Sequence, residues 1–221
     1  TRKESSAASD VYKRQPPAPD GGVDAATLVA ARLAGVETVY KVGGAQAVAA
    51  VAFGTETVKP ALKIVGPGSP WVVAAKRLLA GTLDTGLPAG PSEAIIFADD
   101  TVHGGLAALD LLIEAEHGPD SSAYLVTHSR RVADEALAAL PDLWARMSAQ
   151  RVAFSRAVLT GSTGGIVLTG SVEESYDFVN AYAPEHLEIL SKEPYDHLGR
   201  ITEASEILLG QHTPCSIANF G

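Results

Sequence analysis

The chain has 221 residues, 46% hydrophobic and 19% charged, a balance that allows a buried core and excludes a disordered or fibrous protein. Its formal net charge of −9 leaves no basic surface for a phosphate backbone and argues against a nucleic-acid partner. A single cysteine, Cys215, excludes an internal disulfide, and no apolar run is long enough for a membrane span, so a reducing, cytoplasmic setting is expected.

Residues 1–15, TRKESSAASDVYKRQ, show neither hydrophobic periodicity nor the apolar stretch of a signal peptide. They read as a leader outside the fold, and DVYKRQ resembles the translated end of a sequencing-library transposon. Beyond them, helical and extended patterns alternate. Residues 23–34 have helical spacing with Asp24 near the start, and residues 38–42 are a β-rich run that feeds Gly43-Gly44 and an alanine-rich helix over 45–53. Residues 62–65 read as a strand ended by GPGSP, and 71–79 as a helix. Strands over 94–98, 123–127, 165–169, 186–190 and 206–209 then alternate with helices over 102–116, 130–149 (interrupted near Pro141), 172–181 and 195–204. This alternation predicts an α/β fold of two Rossmann-like lobes, each with a mainly parallel sheet flanked by helices. The Pro- and Gly-rich run LPAGPSE is the expected boundary, dividing residues 16–91 from 92–221.

Two glycine turns, Gly43-Gly44 and Gly66-Pro67-Gly68, each open a helix, where backbone N–H groups can face an anion. Neither completes G-x-G-x-x-G, since Trp71 stands in place of the third glycine, and each also fits an ordinary turn. Glu114 and His117 lie three residues apart at a helix end broken by Gly118-Pro119, so they share a face. Such a pair suits either two ligands of one metal ion or a solvated helix end with His117 near the negative pole of the dipole. Glu185-His186 follows Pro184 at the start of a buried strand, a place for loop residues and for acid–base groups alike. Adjacent residues on an extended chain point to opposite sides, so both can face one ligand only where the backbone bends. Cys215 reads as a buried structural thiol, and His103, His128, His197 and His212 as surface residues.

VGGAQAVAAVAFGTE, KIVGPGS, LPAGPSE, EAEHGPDSS, NAYAPEHLEI and ILLGQHTP occur here in the order and with nearly the spacing of histidinol dehydrogenases. From about residue 42 to 221 the chain is similar to that family. The resemblance implies a zinc- and NAD-dependent enzyme, homodimeric at full length, that oxidises L-histidinol twice, through a bound aldehyde, to L-histidine. It implies Gln46 and Ser69 on the NAD side, Ser92, Glu114 and His117 at the substrate, and Glu114, His117 and Asn219 on zinc. It implies His186 as the general base and Glu185 as the group that activates water for the second oxidation.

Four positions depart from the family pattern. Glu114 stands where Gln is common, Asn219 where Asp is common and Ser69 where Asn is usual, and the turn before LPAGPSE lacks its usual Asp. These changes suit a paralogous branch that oxidises another small polar alcohol, such as a sulfonated diol. The resemblance also implies that segments before and after this chain complete the enzyme, the later one with a further zinc-ligand histidine and a substrate-binding carboxylate. A non-catalytic nucleotide-binding module is the alternative of a different class, and the Glu185-His186 pair argues against it.

Overall fold

The computed structural model describes residues 12–14, 17, 20–86 and 90–217, which form two units, Thr1–Gly90 and Pro91–Gly221. The first unit contains β1 (Tyr12–Arg14), α1 (Ala25–Leu33), β2 (Thr38–Tyr40), α2 (Gly44–Phe53) and α3 (Pro70–Leu79). Asp24 caps α1 by accepting the Thr27 amide at 3.0 Å. The apolar face of α2 buries Val48 and Val51 with Val58, Ile64 and Leu83. β1 pairs with β2 in parallel, Tyr12 opposite Thr38. This corrects the placing of residues 1–15 wholly outside the fold: the open edge of β2 offers unpaired backbone groups, and a β-prone stretch supplies partners. The strand expected over residues 62–65 shrinks to one bridge, Lys63 to Asp84, because Leu62 and Val65 point into solvent and only Ile64 is buried.

The second unit runs β3 (Glu93–Ala98), α4 (Gly104–Ala115), β4 (Ser122–Thr127), α5 (Arg130–Trp144), α6 (Ala149–Leu159), β5 (Gly164–Leu168), α7 (Val172–Tyr182), β6 (His186–Leu190), α8 (Pro194–Leu198) and β7 (Glu206–Leu209). Its strands form one parallel sheet in the order β5-β4-β3-β6-β7. The α/β class with a parallel sheet and flanking helices is therefore as expected. Alternation along the strands assigns the faces. Ile96 and Ala98 of β3 and Leu125 of β4 pack toward α4, α5 and α6, whereas Ile95 and Phe97 of β3 and Leu187 and Ile189 of β6 pack toward Tyr176 and Val179 of α7. Full burial of one such side chain contributes roughly 1.5–3 kcal/mol.

Two helices differ from expectation. Pro141 lies inside α5 instead of ending it, because proline forfeits only one helix bond and the apolar face with Val132, Ala136 and Leu140 continues across it. The chain breaks later, and Ser148 caps a separate α6. The helix expected over 195–204 stops at Leu198, before Gly199; Ile201 and Ala204 instead pack against the α7 side of the sheet.

Close packing of α4 on α5 depends on Gly104. A Cβ there would lie 2.1 Å from the Val132 carbonyl oxygen and 2.7 Å from the Ala136 nitrogen, both backbone atoms. Gly104→Ala should therefore push the helices apart and destabilise the second unit by about 1–3 kcal/mol, read as a lowered denaturation midpoint. An unchanged midpoint would mean the helices separate without cost.

Candidate active site at the amino edge of the sheet

In open α/β sheets ligands usually gather at the carboxyl edge, at the point where strand order reverses. The predicted site residues of the second unit that the structure describes lie at the opposite edge. His186 begins β6 and Glu206 begins β7, and the two are direct partners in the parallel register. Ser92 immediately precedes β3, whose Ala94 is the partner of His186 on the other side. Glu114 and His117 lie at the carboxyl end of α4, which returns the chain to this same edge before β4.

The register fixes the contacts. His186 Nδ1 lies 2.7 Å from Glu206 Oε2, with the histidine side chain 13% exposed and the glutamate 30%. Glu185 Oε2 lies 3.8 Å from His186 Nε2, so these neighbours do face each other. The backbone bends at Glu185, just ahead of the strand, and two residues earlier Ala183 adopts φ +56°, a left-handed conformation that costs a non-glycine residue roughly 1–2 kcal/mol. Ala183 ends α7 just ahead of Pro184.

Glu114 is not a solvated helix end: its side chain is 7% exposed, that of His117 52%, and the two approach to 3.8 Å. Burial pushes the Glu114 carboxyl above its ordinary range; His117 and His186 pull it back, while Glu185 and Glu206 push it further. Those influences join Glu114, His117, Glu185, His186 and Glu206 in one electrostatic neighbourhood. His117 Nδ1 is 3.2 Å from the Glu114 carbonyl oxygen, and with the proton on Nδ1 that bond leaves Nε2 for a ligand.

Beneath this neighbourhood lies a second set of acids that the sequence reading missed. Glu188, two residues along β6 from His186 and on the same face, is fully buried, as is Asp110, one turn before Glu114 on α4. Burial pushes Glu188 up to about 8, with the nearby Asp110 charge adding to the effect, and burial pushes Asp110 to about 6. Cys215 is buried as expected, donates to Glu188 Oε2 at 3.4 Å, and its thiol is pushed far up by burial and these carboxylates.

At the carboxyl edge, where the order reverses between β3 and β6, Asp99 is clasped. Its oxygens accept Ser191 Oγ at 2.6 Å, Thr101 Oγ1 at 2.6 Å, the Thr101 amide at 2.9 Å and His197 Nε2 at 3.2 Å. Burial alone would raise this carboxyl, but the hydrogen bonds outweigh it and hold the group below its usual range. His197 Nδ1 also meets the Tyr176 hydroxyl at 2.7 Å. His197 is thus a core residue, which corrects its reading as a surface histidine: α8 folds it back onto Phe97. His128 is also partly buried, with Nδ1 shielded from solvent, whereas His103 is exposed as expected and caps α4 by accepting the Gly105 amide at 3.0 Å.

In the first unit, Gly43 caps α2 and Gly44 takes φ +72°, while a Cβ on Gly44 would meet Gln46 Oε1 at 2.7 Å. Ser69 caps α3 without a side-chain hydrogen bond to the helix. Pro70 has no N–H and the Val72 and Val73 amides donate to the Ser69 carbonyl at 2.8 and 3.0 Å, so what the helix start can offer is the Trp71 amide beside the Ser69 hydroxyl. A Cβ on Gly68 would strike Val72 at 2.6 Å, and buried Lys76 ties the turn to α3 through the Gly66 carbonyl at 2.7 Å. Both turns therefore need glycine, and both can present N–H groups to an anion such as a pyrophosphate.

Zinc fits the donors in kind. A buried carboxylate with a raised pKa gains from an adjoining cation, and His117 offers an imidazole beside it. Among the described residues no three His, Cys, Asp or Glu side chains converge as a metal shell, and Asn219 lies outside the described residues.

The sequence profile of histidinol dehydrogenase matches residues 6–221. The chain belongs to the histidinol dehydrogenase family. A histidinol dehydrogenase homolog of Rhizobium meliloti is 84% identical over 205 residues, which are 93% of this chain and 45% of that protein. Histidinol dehydrogenase of Synechocystis is 53% identical, covering 93% of this chain and 47% of the relative. The crystal structure of histidinol dehydrogenase from Elizabethkingia anophelis superposes with a TM-score of 0.81 at 34% identity, covering 92% of this chain and 46% of that one. The chain thus spans about half the length of the relatives it matches. Among the described residues, no helix is long and apolar enough to cross a membrane.

Proposed function

We propose that the full-length protein carrying this segment is a zinc-dependent, NAD-linked dehydrogenase that oxidises L-histidinol through the aldehyde to L-histidine. The observation that carries this reading is the meeting of His186, Glu185, Glu206 and Glu114 at one sheet edge, in a chain of this family. NAD would accept the hydride and zinc, held by Glu114, His117 and Asn219, would polarise the alcohol oxygen. Neutral His186 takes the alcohol proton as general base. Glu185, half exposed beside His186, is placed to accept a proton from water in the second oxidation. Ser92 at the same edge and Gln46 and Ser69 at the glycine turns serve substrate and NAD.

A second reading, oxidation of another small polar alcohol such as a sulfonated diol, has its own support. The relatives at 84%, 81%, 80% and 62% identity are named histidinol dehydrogenase homologs, while those named histidinol dehydrogenase are at 53%, 47%, 42% and 37%. The exchanges at Glu114, Asn219 and Ser69 point the same way. The test is NADH formation by the full-length protein with histidinol and with a panel of small diols. Turnover of histidinol at kcat/KM of about 10⁴ M⁻¹s⁻¹ or more upholds the first reading. Turnover of a diol alone upholds the second, and no NADH with any alcohol sinks both.

A further inference from the structure

Glu206 is a residue that the resemblance gives no role, and its placing is specific. It opens β7 directly opposite His186, with the Glu206 amide bonded to the Glu185 carbonyl at 3.0 Å, so the sheet itself delivers the carboxylate to the imidazole. The 2.7 Å contact is to Nδ1. Nε2 instead faces Glu185 Oε2 at 3.8 Å, beyond hydrogen-bond reach, and makes no hydrogen bond among the described residues. A carboxylate can only accept, so Nδ1 must carry the proton, and the lone pair of a neutral imidazole then sits on Nε2.

We infer that Glu206 is the positioning residue of the proposed dehydrogenase: it holds His186 in the Nδ1–H tautomer and aims Nε2 at the substrate proton. The inference rests on the proposed role of His186 as base. The proton balance is simple. Nε2 takes the alcohol proton as the hydride leaves the carbon for the nicotinamide, and His186 becomes an imidazolium with Nδ1–H still bonded to Glu206. The carboxylate does not itself take the proton; it orients the ring and stabilises the cation, as an aspartate does beside the histidine of serine hydrolases. A purely structural role, pinning β7 to β6, is the competing explanation, and the backbone pairing of the two strands already provides that.

Two measurements on the full-length protein separate these explanations. Ring ¹⁵N shifts of His186 in the wild type should show the proton on Nδ1, and in Glu206→Ala a shift toward the Nε2–H form that free imidazole prefers. In activity, Glu206→Ala should lower kcat by roughly 10–100-fold, the usual cost of removing a group that orients an acting histidine, with little change in KM for the alcohol. Because Glu206 acts through His186, adding Glu206→Ala to His186→Ala should cost nothing more. A wild-type proton on Nε2, or additive losses in the double variant, overturns the inference. Should no alcohol be oxidised while the tautomer follows Glu206, the proposed function fails and the pairing of Glu206 with His186 stands.

Discussion

His186→Ala in the full-length protein should slow alcohol oxidation by roughly 10²–10⁴-fold, the usual contribution of a positioned general base. The expectation rests on position. The imidazole is largely buried at the head of β6, braced by Glu206, with Glu185 and Glu114 around it. Such a group can accept a proton only from something seated against it at this edge of the sheet. Glu185→Gln should divide the two oxidations. The amide cannot accept a proton from water, so oxidation of supplied aldehyde should fall more than oxidation of the alcohol. Stopped-flow NADH formation from each substrate measures both. Equal losses in both half-reactions for both variants would remove the division of roles between Glu185 and His186.

How much of this was legible in the sequence depends on whether a contact is local or made by the sheet. The helix face that joins Glu114 to His117 follows from a three-residue spacing, and the structure keeps it. The Glu185-His186 pair is visible as a motif, but not the backbone bend at Glu185 just ahead of the strand, since glutamate carries no turn signal of its own. Glu206 lies twenty residues beyond His186, and only the β6–β7 register brings them together. His197 was read as exposed for a similar reason: its partners Asp99 and Tyr176 come from other elements. Glu188 did leave a signal. A charged residue inside the apolar run HLEIL must find a buried partner or keep its proton, and that conflict with the strand pattern marks it.

That conflict yields the last prediction. Two bare carboxylates cannot share the buried space between α4 and β6, and Glu188 Oε1 has no hydrogen-bond partner while both are bare. A proton on Glu188 lets it donate to Asp110, which agrees with Glu188 being raised and with its hydrogen bond lowering Asp110 against burial. The groups that face the pair are Glu114, which pushes Glu188 further up, and the Cys215 thiol, which pulls it down. Both folded values lie above those of the unfolded chain, so the native state holds protons that the unfolded state releases. Stability is then fully present below about pH 4 and is lost as pH rises through about 6 and about 8. At about 1.4 kcal/mol per unit, the loss is on the order of a few kcal/mol. Carboxyls held low, such as Asp99, act with the opposite sign but only at more acid pH. Glu114, also raised by burial, adds to the pair with the same sign, so the share of Glu188 is read from the difference between wild type and Glu188→Gln. As pH rises from about 5 to about 9 the denaturation midpoint of the wild type should fall. Glu188→Gln keeps a donor toward Asp110 and cannot ionise, so its profile should be much flatter and should cross above the wild type on the alkaline side. Parallel profiles would mean that Glu188 carries no shared proton. Since Asp110 and Glu188 stand one step behind Glu114 and His186 on the same two elements, a flattened profile would also identify the shared proton as part of what keeps α4 seated against β6 beneath the site.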